Sequence, residues 1–282
     1  MEFVKPRTFD EAIETIGKRS PIGSKLNSSE WAAVPVELRA RAFFSSQVEN
    51  VRFLQRGKDT ITDFLSGARE KVIDPYGREQ TALKAGSRAE FVKQMQSFAI
   101  AEGMGPLDPA DAGTIKDITS QRRLELIFDT NTRAAQGFGY YKQGLDPDVL
   151  DAFPAQRFIR VADVSEPRGD HAQHEGIVLL KTDPFWAAIN KDFGVPWQPF
   201  GWGCQHDVED VDREEAEQLG LIKPGETVTA PEKSLNDRLQ ASTRHIDPDL
   251  RQTLRENLGD AAEFDDEEHT MRWKKKPKGA TP

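Results

Sequence analysis

The stretch "QRRLELIFDTNTRAAQGFGYYKQGLDPDVLDAFPAQRFIRVADV", Gln121 to Val164, contains the change of texture that decides the fold class. Its first half carries Leu124, Ile127 and Phe128 on one face and Ala134, Ala135 and Phe138 on the following turns. Spacings of three and four bring such side chains to one side of a 3.6-residue helix, so the pattern predicts a core-facing helix. Arg123, Thr130, Asn131 and Arg133 are its polar residues, which ordinary amphipathicity explains one by one. Beyond Pro154 the period changes. "RFIRVADV" alternates Phe158, Arg160, Ala162 and Val164 against Ile159, Val161 and Asp163, the two-residue period of a strand. A second short apolar run, "GIVLLK", follows the long turn "SEPRGDHAQHE". Helices first and short strands later predict an α+β protein.

Toward the N-terminus, "FDEAIETIG" places Phe9, Ala12, Ile13 and Ile16 on one helical face and stops at Gly17. "RSPIGSKLNS" reads as a loop. Beyond Ser28, the residues Trp31, Leu38, Phe43, Phe44, Val48, Val51 and Leu54 recur at helical spacings and predict an amphipathic helix. A second helix, "DTITDFLSGA", is expected after a break at Arg56-Gly57, and a third opens with Ser87 and Glu90 in capping-box spacing and closes at Gly103. Toward the C-terminus, "DPFWAAINKDF" predicts a short helix and "GVPWQPFGWG" is too rich in Gly and Pro for a regular element. "VDREEAEQLGL" predicts a helix capped by Asp212 and stopped by Gly220. Short helices are expected in "KSLNDRLQAS" and "DPDLRQTLRENLG", followed by the acidic run "DAAEFDDEEH" and the basic end "RWKKKPK", Arg272 to Lys278. The expected organisation is a helical N-terminal region (1–145), a small mixed α/β domain with short strands (146–222) and a flexible polar tail, partly disordered (223–282).

A chain of 282 residues is long enough for a proper core. It has no apolar run near the roughly 18 residues that span a bilayer, and its start lacks the features of a secretory signal. A cytoplasmic protein without a membrane partner is expected. Cys204 is the single cysteine, which agrees with a reducing compartment. The net charge of -9 argues against a broad nucleic-acid surface and leaves the basic end as the one candidate DNA contact.

Four side chains could carry metal chemistry. His171 and His174 lie three apart, and Cys204 and His206 follow in "PFGWGCQHDVEDV". Imidazole and thiolate suit tetrahedral Zn²⁺, although one residue between Cys204 and His206 is tighter than zinc-finger spacing. Cys204 can equally be a small buried hydrophobe with the histidines capping turns. A Cys204–His nucleophilic dyad would need an activating environment, and no helix N-terminus precedes the cysteine. Glu175 beside His174 could serve a metal-bound water as general base, without the HExxH pattern. The aromatics Phe185, Trp186, Phe193, Trp197, Phe200 and Trp202 read as the core of a small domain or as a carbohydrate or peptide groove. "GFGYYKQG" lacks the lysine of a phosphate loop.

Several motifs in order resemble the phage Mu F-like minor head proteins, the phage head morphogenesis domain related to the minor capsid protein of phage SPP1. "RLELIFDTNTRAA" supplies Arg123, Thr130, Asn131 and Arg133; "RGDHAQHEG" supplies Arg168, His171 and Gly176; "DPFW" ends at Trp186; "PFGWGC" supplies Gly201, Trp202 and Cys204. The likeness runs from about Phe9 to Leu221. Where that family has a second cysteine, this chain has His206, which exchanges one good zinc ligand for another. The resemblance implies a structural zinc site of His171, Cys204 and His206, with His174 as the candidate fourth ligand. It implies a non-enzymatic minor structural protein of a tailed-phage or prophage head, made in the bacterial host cytoplasm and carried in the virion. Its partners would be portal and capsid proteins, with phage DNA a further candidate at the basic end. The rival expectations are a metal-dependent hydrolase using Glu175 and an internal DNA-binding head protein.

Overall fold

A computed structural model describes residues 8–39, 41–73, 77, 79–84, 86–162, 169–231, 240–242, 248–259, 262–267 and 270–273. Along the chain, α1 (Thr8–Gly17) precedes the paired short strands β1 (Ser20–Pro21) and β2 (Ala42–Phe43), between which lie α2 (Ser28–Ala32) and α3 (Val36–Arg39). Next come α4 (Val51–Ser66), the hairpin β3 (Arg69–Ile73) and β4 (Glu79–Leu83), α5 (Arg88–Ala101) and α6 (Gln121–Gly144). The following segment holds α7 (Pro147–Ala152), β5 (Ala155–Arg160), α8 (Gly169–Ala172), β6 (Val178–Leu180), α9 (Phe185–Ile189), β7 (His206–Val211) and α10 (Arg213–Gln218). The chain then adds β8 (Gln240–Ser242), α11 (Pro248–Leu258), β9 (Ala262–Asp265) and β10 (Thr270–Trp273). This is the expected α+β architecture.

The chain divides into two compact units, one of Met1–Gly17 and Asp59–Glu232, the other of Lys18–Lys58 and Lys233–Pro282. In the first, α6 is the spine. Its N-terminus is capped by the Ser120 hydroxyl, which accepts from the Arg123 N–H, and Leu124, Ile127, Phe128 and Ala135 are buried along it. Phe128 meets Phe64 and Phe91 at ring-centroid distances of 4.9 and 5.2 Å. A three-stranded antiparallel sheet in the order β6-β5-β7 completes the unit. Its central strand buries Ala155 and Phe158. Phe158 belongs to one apolar cluster with Trp186, Ile189, Phe200 and Cys204, and Ala155 to another with Val211, Ala216 and Ile222.

The second unit is built from both ends of its sequence. Ile22, Leu26, Trp31, Val34, Leu38 and Ala42 pack with Leu254, Leu258, Ala262 and Met271, and the antiparallel sheet β8-β10-β9 lies in the C-terminal part. Trp31 stacks on Phe44 with centroids 4.0 Å apart.

This division differs from the expected boundaries at 145 and 222. The segment expected to be a flexible tail contributes Leu254, with no exposed surface, because α11 sets its apolar stripe into a core whose other half comes from residues 22–42. The expected helix from Trp31 to Leu54 is instead α2, α3, β2 and the start of α4. Asn27 and Glu30 form a capping box that starts α2, and Pro35, lacking an N–H, separates it from α3. Trp31, Leu38, Phe43, Val48 and Leu54 are all buried, so their spacing reported burial rather than one helix. Gly57 lies inside α4 and is no break. The hairpin β3–β4 and strand β7 are additions to the expected elements. Most of "KSLNDRLQAS", the residues Lys274–Lys278 of the basic end, and Arg168 lie outside the described residues.

Truncation of Leu254 to Ala removes a fully buried side chain, for which a loss of about 2–5 kcal/mol of stability is expected. Chemical denaturation measures it, and a variant as stable as the wild-type chain would show that α11 does not share a core with residues 22–42.

Candidate metal centre

Strand order brings the expected site residues together. β5 and β7 pair so that Arg160 stands opposite His206, and Phe158 opposite Val208. The diagonal neighbour Phe158 therefore stacks flat on the His206 imidazole, with centroids 4.9 Å apart and planes 5° from parallel. α8 holds His171 edge-on to the same ring of Phe158. Between α8 and β6 the chain turns through Gly176, whose φ of +83° is a left-handed conformation that glycine adopts without a Cβ penalty.

Cys204 arrives from the irregular segment between α9 and β7, whose backbone is held by side chains rather than by a ladder. The buried Asn190 side-chain amide nitrogen lies 2.9, 3.0 and 3.2 Å from the carbonyls of Val195, Trp197 and Pro199, which share its two N–H groups. Asp192 accepts from the Trp202 N–H at 3.0 Å, and Trp202 packs edge-to-face on Phe193. From α6, the Arg133 guanidinium donates to the Cys204 carbonyl at 2.7 Å. Gly137, one turn further along, lets the helix approach so closely that a Cβ there would lie 2.2 Å from the Gln198 carbonyl oxygen.

His171, Cys204 and His206 are 1%, 2% and 3% exposed, and their ligating atoms all lie within 4.8 Å of one another. Cys204 Sγ is 3.3 Å from His171 Nδ1 and 3.5 Å from His206 Nδ1. The opposite nitrogens face acceptors. His171 Nε2 is 3.2 Å from the Ile189 carbonyl, and His206 Nε2 is 2.8 Å from Glu175 Oε1. The Arg160 guanidinium donates to that same carboxylate oxygen from Nε at 2.7 Å. Hydrogen bonds from Arg160 and then from His206 hold the Glu175 carboxyl below its ordinary pKa.

The other expected ligand is elsewhere. His174 is half-buried with its ring edge-on to Phe185 at 5.3 Å, its Nε2 beside the Gln173 amide, and it is not in the clustered set. Glu175 does not fit the expected general base either. It contacts His206 on the ring edge remote from Cys204, where it orients the imidazole and cannot face a water held by the Nδ1 side.

Among the motif residues, Trp186 is fully buried and its indole N–H donates to the Leu180 carbonyl at 2.8 Å. Thr130 is buried in α6, and the Asn131 amide donates to the Ile127 carbonyl within the same helix. Gly201, with φ +145°, and Gly203, with φ +65°, shape the turn before Cys204. Arg123 is half-buried at the start of α6, and burial lowers its pKa. The aromatics of this segment fill the core, as in the Phe158–Phe200 and Trp197–Phe138 ring contacts. Sequence reasoning missed Asn190, Arg160 and Gly137. The signals were a lone Asn before a Gly/Pro-rich loop and a small residue on the face of a long helix.

The fold and the site together define a small α+β unit whose irregular loop is fastened to a helix and a sheet around a buried His–Cys–His cluster. This chain is similar to "Putative capsid assembly protein F" of Escherichia phage Mu, with 30% identity over 168 residues, 58% of this chain and 35% of that protein. The chain therefore spans about a third of the length of that relative. No family model matches the chain, and no solved structure matches it. Among the described residues, no helix is long and apolar enough to cross a membrane.

Replacing Asn190 by Ala leaves the carbonyls of Val195, Trp197 and Pro199 without this donor, and a loss of about 1–3 kcal/mol or more is expected. Denaturant titration reads it. A change below about 0.5 kcal/mol, the range of ordinary surface substitutions, would show that the loop does not depend on Asn190.

Proposed function

We propose that this chain is a structural protein of a tailed-phage or prophage head that takes part in capsid assembly. The similarity to the phage Mu protein, 30% over 168 residues, carries this reading. The ordered motifs on α6, in the His171 turn and in the Gly201–Cys204 turn support it, because the residues concerned serve one packed arrangement. Arg133 fastens the helix to the Cys204 backbone, and Gly201 shapes the turn that leads there.

In this reading the chain is no enzyme. The one clustered set of His and Cys among the described residues is buried, and the nearest carboxylate serves to orient His206. The chain is incorporated into the head in few copies beside the portal, and its partners are the portal and capsid proteins of the same phage. Assembly takes place in the bacterial host, and the protein stays in the virion. No observation favours the hydrolase or the internal DNA-binding reading.

A tagged chain co-expressed with the portal protein of its phage is expected to co-purify with it, and mass spectrometry of purified heads is expected to find the chain. Normal head yield from a phage carrying a nonsense mutation in this gene, with the chain absent from wild-type heads, would overturn the head-assembly reading. Heads that contain the chain while the portal protein fails to retain it at micromolar concentration would overturn the portal contact alone.

A further inference from the structure

We propose that His171 Nδ1, Cys204 Sγ and His206 Nδ1 bind one zinc ion that ties α8, the loop before β7 and β7 itself together. The inference rests on the geometry of the cluster and does not depend on the head-assembly reading.

The two sulfur–nitrogen separations fit a tetrahedral ion. Bonds of about 2.3 Å to sulfur and 2.0 Å to nitrogen at a tetrahedral angle put the two ligand atoms about 3.5 Å apart. The observed Sγ–Nδ1 distances are 3.3 and 3.5 Å. A thiol hydrogen bond can also span such a distance, so the decisive observation is that two imidazole nitrogens from separate segments meet one sulfur at a single buried point.

The Ile189 carbonyl can only accept, so the proton of a neutral His171 is assigned to Nε2 and its lone pair to Nδ1. The Glu175 carboxylate, held in place by Arg160, faces the far nitrogen of His206 in the same way. Nδ1 of both imidazoles is directed at one sulfur. A divalent cation among them takes both nitrogens and the thiolate at once.

The second shell has the form that metal-bound histidines require: the far nitrogen of each histidine faces a carbonyl or a carboxylate, the acceptors that fix tautomer and ring plane in such sites. Two imidazoles and one thiolate disfavour the hard, oxygen-seeking cations Mg²⁺ and Ca²⁺. A single cysteine cannot hold an iron–sulfur cluster in the usual four-thiolate manner. The bound ion supplies a cross-link between segments that share few backbone hydrogen bonds, and its binding free energy becomes folding free energy of this unit.

The test uses the full chain purified without added chelator. Elemental analysis is expected to find one zinc per chain, and exchange with Co²⁺ should give the visible bands of a tetrahedral site and a near-ultraviolet thiolate-to-cobalt band. Cys204→Ala is expected to lose the metal, and His174→Ala to keep it. Glu175→Gln should weaken zinc affinity about 10–100-fold, the usual cost of removing an outer-shell partner. If Cys204→Ala fails to fold, His206→Cys provides the second arm. It should retain one metal and strengthen the thiolate-to-cobalt band. Wild-type chain that folds with no stoichiometric metal and takes up no Co²⁺ would overturn the proposal in favour of a hydrogen-bonded thiol. Metal retained by folded Cys204→Ala would overturn the ligand assignment.

Discussion

The segment from Asn190 to Gln205 has almost no regular secondary structure, yet Val195, Trp197, Phe200 and Cys204 within it are buried. Backbone N–H and C=O groups taken out of water in such a segment need partners, and no ladder supplies them. Asn190 shares its two N–H groups among three carbonyls from inside the loop, Arg133 satisfies the Cys204 carbonyl from α6, and Asp192 satisfies the Trp202 N–H. The position of Cys204, and with it the existence of a site, follows from these side chains. A looser loop would leave the sulfur free to wander from two nitrogens that lie about 3.3–3.5 Å away.

The helix contributes by coming close. At Gly137 a side chain would collide with the Gln198 carbonyl, so the residue there is small because backbone meets backbone. That approach puts Arg133 within reach of the loop, and it sets Phe138 and Tyr141 against Trp197, each with a centroid distance of 5.2 Å. The sheet does the corresponding work on the other side. Pairing of Arg160 with His206 across β5 and β7 brings guanidinium and imidazole to the same carboxylate, Glu175, which arrives from the turn before β6. One residue of register slip would turn His206 to the other face and dismantle the cluster.

Much of this was legible in the sequence where the signal was local. The long helix of residues 121–144 announced itself by period, the strand after Pro154 by alternation, and the caps Ser87 and Asp212 by their residue types. His171, Cys204 and His206 could be named as candidates because few side chains bind soft metals and only one cysteine is present. His174 could not be separated from them, since spacing does not tell which way a side chain leaves the turn that follows a one-turn helix. β7 was hidden because "HDVEDV" carries three acidic residues in six, and only its partner strand makes that pattern a half-buried edge. The core of the second unit was hidden for a different reason. Its halves, residues 22–42 and 254–271, are separated by about two hundred residues of sequence, and neither shows a complete apolar face alone.

The polar residues of α6 show why local reading stops short. On a helical wheel Arg133 is an unremarkable charged position, and Gly137 is merely a weak helix former. Their role appears only when the loop is laid against them, and it is shared: the glycine permits the approach, the arginine fixes it, and Asn190 keeps the loop in the shape that can be approached. Gly137 and Asn190 act on the cluster without touching its side chains, and Arg133 touches only the Cys204 backbone. A chain that kept the His and Cys residues but lost this scaffold would retain the ligand list and lose the site, which is why residue types alone are weaker support for a metal centre than the hydrogen bonds that aim them.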